Sequence, residues 1–385
     1  MKKNLLLLFS LLWLNSFSQN TQSFFFARTI GDLPFLEYGI GDDRLGGAKM
    51  TYLDTNVLIK VIDSFKTDYK VQLSKNHTAY IDKAAVTKQI NLQPKEHLTG
   101  SWKVYGDSLF DYVTVSLDEK LPFKSIQQID PSRVVVDIFG VTSNTNWVSQ
   151  LSSAQEIKNA YYEQTEDDVI KVIIDLKHKQ HWGHTIFYEG NKLIIKIKRQ
   201  PPKPELKYLT IAIDAGHGGD NTGATGITTN ILEKNYTLLM AKELQSLLLA
   251  KKAKVIMTRE KDTSLSMVER IGMLKNQNPD LLISIHLNSS SKDSVQGVST
   301  YYKYIGFRPL SVPILNRMLD LNLKEFGNIG AFNFSLSGPT DYPNCLVEVA
   351  FLSNREDEKK ILSPAFHKAV AKKIVEGIED FLKNL

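Results

Sequence analysis

The chain of 385 residues contains a single cysteine, Cys345. No intrachain disulfide can form, so stability must come from packed cores. Beyond the N-terminus no apolar run reaches the length of a transmembrane helix, and no transmembrane segment is expected. There is no long Lys/Arg run of the kind that tracks a phosphate backbone, which argues against nucleic acid as a partner. Strong tandem repeats and long low-complexity tracts are missing too. The charge is close to balanced, with 47 Lys and Arg against 42 Asp and Glu for a formal +5. Such a mild excess suits an anionic polymer without demanding one.

What is present begins with an export layout. Lys2 and Lys3 precede the apolar run Leu5–Leu14, and Ser16-Phe17-Ser18 follows. Basic, apolar and small-residue regions in that order form a secretory signal. Residues 1–18 are expected to be a signal peptide cleaved after Ser18. With no cysteine near the cut, no lipid anchor is expected, and the mature chain is read as exported, to the periplasm.

Two polar, proline-bearing seams divide the rest: Asn91–Gly100 and Lys198–Lys207, the second with three prolines. The second reads as a stiff, solvated spacer, with residues 199–207 as a linker. Residues 19–95 show short strands at Val57–Ile62, Tyr69–Leu73 and Thr78–Ile81, as in a small β-barrel-like domain. Residues 100–198 are again β-rich. Strands are expected at Arg133–Phe139, Val169–Leu176, Thr185–Tyr188 and Lys192–Lys198, the last two joined by the Glu189-Gly190-Asn191 hairpin turn.

From residue 208 strand and helix alternate. Strands are predicted at Leu209–Ile213, Lys254–Thr258, Leu281–Ile285, Val298–Tyr304 and Leu346–Phe351. Helices are predicted at Glu233–Lys252, Met267–Leu274, Pro313–Phe326 and from Pro364 onward. The fold class is therefore multidomain: two N-terminal all-β domains, then an α/β domain with a mostly parallel, twisted sheet flanked by helices.

In such a sheet, ligands gather beyond the carboxyl ends of the strands. His217 follows the first strand inside the glycine-rich stretch IDAGHGG, and His286 follows Ile283-Ser284-Ile285. Glu233 opens the first helix, and Glu348 interrupts the apolar strand Leu346-Val347-Glu348-Val349. IDAGHGG lacks the Gly-Lys-Ser/Thr of a P-loop and the pattern of a dinucleotide fold, so it is not a phosphate cradle. Two histidines and a carboxylate make a catalytic zinc set, and a second carboxylate off the metal can move a proton. Asn288 and Lys234 sit where they could support a ligand or touch substrate. Arg259, Asp262 and Arg270 read as structural ties. His178, His181 and His184 read as a solvated turn, and Cys345 as a small buried residue.

These motifs are specific as a set. DAGHGG (214–219), GATG (223–226), Glu233-Lys234, TREKD (258–262), Arg270, SIHLN (284–288) and VEVAFLSN (347–354) resemble the amidase 3 family of zinc-dependent N-acetylmuramoyl-L-alanine amidases. The likeness covers about residues 207–385, with Ala215 where a proline is frequent. It implies one Zn2+ held by His217, Glu233 and His286, with Glu348 as catalytic carboxylate. It also implies peptidoglycan as substrate, with cleavage of the amide between N-acetylmuramic acid and L-alanine during wall remodelling and daughter-cell separation. Residues 100–198 resemble the AMIN domain, an accessory module of exported wall amidases, and the β domains could meet envelope or divisome proteins. Members gated by an activator carry an extra metal-covering helix between the second histidine and the catalytic Glu. Here only 62 positions separate His286 from Glu348, so no such helix and an open groove are expected. The competing readings are a zinc peptidase acting on stem peptides and a catalytically silent wall-binding protein.

Overall fold

The computed structural model describes residues 24–41 and 46–385; the expected signal peptide and its cleavage site lie outside them. No helix among the described residues is long and apolar enough to cross a membrane.

The β-rich half forms three sheets. The first joins seven strands between Phe25 and Lys88 in an open path that ends on Lys49–Tyr52 at one edge and Val86–Lys88 at the other. Among the described residues these two edges do not pair, so the small barrel expected here is a sheet rather than a closed cylinder. The second sheet is antiparallel throughout, ordered Phe123–Ile129, Ser132–Phe139, Val169–Leu176, Ile157–Glu166. The third runs through His97–Gly106, Phe110–Leu117, Lys192–Lys198 and His184–Glu189, and Gly190 (φ 58°) makes the anticipated hairpin turn. Strand His97–Gly106 starts inside the first proline-bearing seam, which therefore ends earlier than its composition implies.

One apolar core runs through all three sheets, from Ala27 and Ile59 to Trp102, Val136 and Ile195. The two expected β domains thus share an interior. Alternating inward residues produce it, as in Phe110–Leu117, where every second side chain is buried.

The α/β half has one six-stranded sheet, ordered Lys254–Met257, Thr210–Ala215, Leu281–Asn288, Asn344–Phe351, Val298–Tyr301, Glu325–Ile329. Every neighbouring pair is parallel except Val298–Tyr301 against Asn344–Phe351. Strand Leu281–Asn288 is buried along almost its whole length, as a central strand covered on both faces should be.

Helices α1 (Glu233–Ala250), α3 (Arg308–Leu319) and α5 (Pro364–Lys383) join the larger core with the sheet, through Met240, Leu244, Ile314, Ile374 and Phe381. α2 (Met267–Gln277) packs in a second, smaller core around Ala212, Leu282 and Tyr342. A capping box between Ser266 and Glu269 starts α2, and Asn278 in the left-handed region stops it. Leu33, in the loop before strand Phe35–Glu37, and Tyr52, on strand Lys49–Tyr52, pack on that second core from the N-terminal sheet region.

The helix predicted over Pro313–Phe326 ends at Leu319. Asn322 turns left-handed (φ 55°), and Glu325–Ile329 leaves to pair with Val298–Tyr301. Leu321, Leu323 and Phe326 had extended the helical pattern, but they serve a turn and an edge strand.

The second seam is also less solvated than its prolines and charges imply. Lys198 is buried, donating to Pro279 O at 2.7 Å and pairing with Asp280 at 2.9 Å, and Arg199 pairs with buried Asp111. Of the three histidines in the histidine-rich stretch, only His178, paired with Glu156, is partly exposed as a solvated turn would be. His181 and His184 are buried against the α/β half, where the His184 amide donates to Thr340 O at 2.7 Å. Trp182 enters the α/β core, its ring 5.9 Å from that of Phe381. At Gly183 (φ 118°) a Cβ would meet Asp341 O at 2.1 Å, so the close approach of the halves needs glycine here.

Candidate metal centre

Strand Thr210–Ala215 delivers the chain into a loop that presents His217 with φ 62°, a left-handed conformation that costs a non-glycine residue roughly 1–2 kcal/mol. Two buried arginines hold it there. Arg259 donates to the carbonyls of Ala215 and Gly216, both at 2.9 Å. Arg270 donates to the carbonyls of Ala215 at 3.0 Å and His217 at 2.6 Å. Buried Asp214 balances Arg270 and accepts from Thr258 (2.8 Å) and Ser284 (2.6 Å). Burial alone would raise the Asp214 pKa, but the Arg270 charge and the hydrogen bonds hold it below the usual carboxylate range.

The loop's far side is tied as well. Asp262 accepts from the Gly219 amide and from Lys234 Nζ, both at 2.7 Å, and Lys234 donates to Gly219 O at 2.8 Å. Arg259, Asp262 and Arg270 thus occupy the structural positions expected of them, and Lys234 joins them as a brace of the loop.

His217 Nδ1 lies 2.8 Å from Asn221 Oδ1. A carboxamide oxygen only accepts, so Nδ1 carries the proton and Nε2 is left facing Glu233 Oε1 at 3.1 Å. Asn221 was not singled out in the sequence, although its place four residues after the histidine was the available signal. Glu233 begins α1; its Oε2 accepts from Ala224 N (2.8 Å) and its Oε1 from Leu287 N (2.9 Å). His286 Nδ1 stands 3.1 Å from the same Oε1, while His286 Nε2 is buried with no hydrogen-bond partner among the described residues.

Two glycines make room for this convergence. A Cβ on Gly216 would meet the His286 ring at 2.4 Å, and one on Gly223 would meet Glu233 Oε2 at 2.4 Å. These two glycines therefore make room for the cluster, while Gly218 and Gly219 make room for Thr263 and Ser264.

One ligand atom each from His217, Glu233 and His286 lie within 4.8 Å of one another. Burial raises the Glu233 carboxyl, but hydrogen bonds and charge from both histidines pull it well below its ordinary value. Burial lowers His286, yet Glu233, Glu348 and Asp214 raise it overall. A pocket that so favours an ionised carboxylate between two imidazoles is electrostatically suited to a cation.

Glu348 faces this cluster from the neighbouring strand, in register with His286. Asn288 is set beside it: its Nδ2 lies 3.4 Å from the Tyr301 hydroxyl and its Oδ1 accepts from Ser289 N. Between His286 and Glu348 the only full helix is α3, and it packs into the core against α5. What approaches the site is aromatic: Phe334 stands edge-on to His286 with centroids 5.3 Å apart, and Phe332 stacks on Phe334 at 6.2 Å. One side of the anticipated open groove is therefore walled.

Comparison with known proteins follows the same division. Residues 211–380 match the amidase 3 model, described as N-acetylmuramoyl-L-alanine amidase, and residues 102–197 match the AMIN domain. The probable cell wall amidase LytH of Staphylococcus epidermidis is 33% identical over 180 residues, covering 46% of this chain and 60% of that protein. LytH of Staphylococcus saprophyticus is 36% identical over 193 residues, covering 50% and 65%. The chain thus spans less than two thirds of these relatives' lengths. The N-acetylmuramoyl-L-alanine amidase AmiC of Escherichia coli is 23% identical over 373 residues, covering 73% of this chain and 89% of that one. The cradle of two histidines and two carboxylates at the carboxyl ends of the largely parallel sheet lies within residues 211–380, the stretch that matches the amidase 3 model of N-acetylmuramoyl-L-alanine amidases, behind residues that match the AMIN domain.

Proposed function

We propose that this protein hydrolyses the amide joining the lactyl group of N-acetylmuramic acid to L-alanine in peptidoglycan, as part of wall remodelling and daughter-cell separation. The observation that carries the reading is the convergence of His217, Glu233 and His286 on one point, with Glu348 in register beside it. Two imidazoles and one carboxylate are a donor set for Zn2+ that leaves a coordination position open, and the buried, unpartnered His286 Nε2 fits a metal-binding imidazole. When bound, zinc would polarise the scissile carbonyl and lower the pKa of a water.

The protein's own groups supply the rest. Asn221 holds the His217 tautomer, and the Ala224 and Leu287 amides orient Glu233. Glu348 takes a proton from the attacking water and delivers it to the leaving amine of L-alanine, so that the C–N bond breaks with charges balanced. Asn288, beside Tyr301, is placed to meet a polar substrate group. The AMIN domain suits attachment to the wall or to an envelope protein, and the expected export signal agrees with work outside the cytoplasm, in the periplasm.

The test is mass analysis of sacculi digested by the purified, zinc-loaded protein. Intact stem peptides released from unshortened glycan support the amidase. Shortened peptides still attached to glycan would make it a peptidase.

A further inference from the structure

Residues 330–341 lead from strand Glu325–Ile329 to strand Asn344–Phe351 and carry the aromatic wall of the site. Phe332 packs on Tyr301 with centroids 4.4 Å apart, and Phe334 packs on His286. Ala331, at φ 55°, holds a strained backbone, so something must fix this segment from outside.

The N-terminal sheet does so. Asn333 Oδ1 accepts from the Lys49 amide at 2.9 Å, and Asn333 Nδ2 donates to Gly47 O at 2.6 Å. Its carboxamide thus satisfies one donor and one acceptor of a strand at the sheet's edge, as a neighbouring strand would. Tyr52 donates to Ser335 O at 3.2 Å, and Lys303 from the α/β half donates to Lys49 O at 2.9 Å. Asn333 lies between the two phenylalanines, so the edge strand is linked to His286 through two side chains.

We propose that Asn333 is a positioning residue for the hydrolytic site: it docks residues 330–341 on the N-terminal sheet and so keeps Phe334 against the His286 ring. The first β-sheet is then part of the catalytic unit rather than a tethered accessory. The inference rests on reading His286 as a metal ligand. Asn333 touches no reacting atom; it acts by restricting the Phe334 ring that packs on His286. Losing a group that orients a ligand weakens metal binding or turnover by roughly tenfold or more.

The test uses the full-length protein and its Asn333→Ala, Asn333→Asp and Phe334→Ala variants. Three quantities are read: amide hydrogen exchange across residues 328–342, the rate at which a chelator strips zinc, and kcat and KM on soluble muropeptides. For Asn333→Ala the expected result is faster exchange confined to this segment, zinc loss and kcat each changed by about tenfold, KM nearly unchanged, and little change in melting temperature. Asn333→Asp keeps one of the two bonds and should fall between. The Asn333→Ala/Phe334→Ala double variant should be no worse than the more affected single, since both act on one link. Unchanged exchange and zinc release in Asn333→Ala would overturn the proposal. A rise in kcat would overturn it as well, because the segment would then be a gate. If the wild type neither binds zinc nor cleaves muropeptides, the functional reading fails, and the exchange data still report whether Asn333 docks the segment.

Discussion

The β half and the α/β half bury polar side chains for different ends. In the α/β half, Asp214, Glu233, Thr258, Arg259, Arg270, Ser284 and His286 are buried around one loop at the strands' carboxyl ends. Their bonds fix the His217 loop and hold Glu233 and His286 together. In the β half, Gln127, Gln180, His181, His184 and Lys198 are buried along the seam where the halves meet. Gln127 accepts from the Gly306 amide at 3.0 Å, Gln180 donates to Gly306 O at 2.8 Å, and Lys198 reaches Pro279 O. Burying a polar group is costly unless it is bonded, so its position marks what the chain must hold in place. One half holds the proposed metal cluster, and the other holds its neighbour.

The largest break in this comparison should come at Glu348. Glu348→Gln should lower turnover about a thousandfold while zinc content, measured by elemental analysis, stays at the wild-type level. Arg270→Ala comes next. It leaves Asp214 charged, buried and without its cation, so denaturant unfolding should show a loss of about 3–5 kcal/mol. Trp182→Ala tests the seam by packing. This β-half residue sits in the α/β core against Phe381, and its removal should cost about 3 kcal/mol. A much smaller loss would mean that the halves pack independently.

The smallest effect sharpens the seam by pH. His184 is fully buried, and burial, aided by the charge of His181, lowers its pKa from 6.5 to about 3. Between those values the unfolded chain binds the proton and the folded chain does not. Stability is therefore complete above pH 6.5 and falls as pH drops toward 3, by about 2 kcal/mol at pH 5. In His184→Asn this part of the slope between pH 6.5 and 5 should be absent from melting curves.

The four residues of the proposed site stood out in the sequence because each carries a local sign. His217 and His286 follow apolar strands, Glu233 opens a helix, and Glu348 breaks an apolar run. Most strands and α1, α2 and α5 were legible from periodicity for the same reason. What was not legible is non-local. His181 and His184 read as a polar turn because Gln128, Ser125 and Thr340, their partners, lie tens to hundreds of positions away. Asn333 gave no sign, since its partners Gly47 and Lys49 are 286 and 284 residues distant. Lys198 looked solvated among prolines because Asp280 and Pro279 arrive from the other half. The end of α3 at Leu319 was hidden by leucines that continue a helical spacing beyond it.

The central claim is that the protein cleaves the amide between glycan and stem peptide, with His217, Glu233 and His286 as the residues that would hold a metal and Glu348 as base. Its most direct test is the product spectrum of sacculi treated with full-length protein before chelation, after chelation and after added zinc. The account predicts free, intact stem peptides that vanish on chelation, return with zinc, and are missing with Glu348→Gln. Release of such peptides by the Glu348→Gln variant at the wild-type rate, or by the chelated protein, would contradict it.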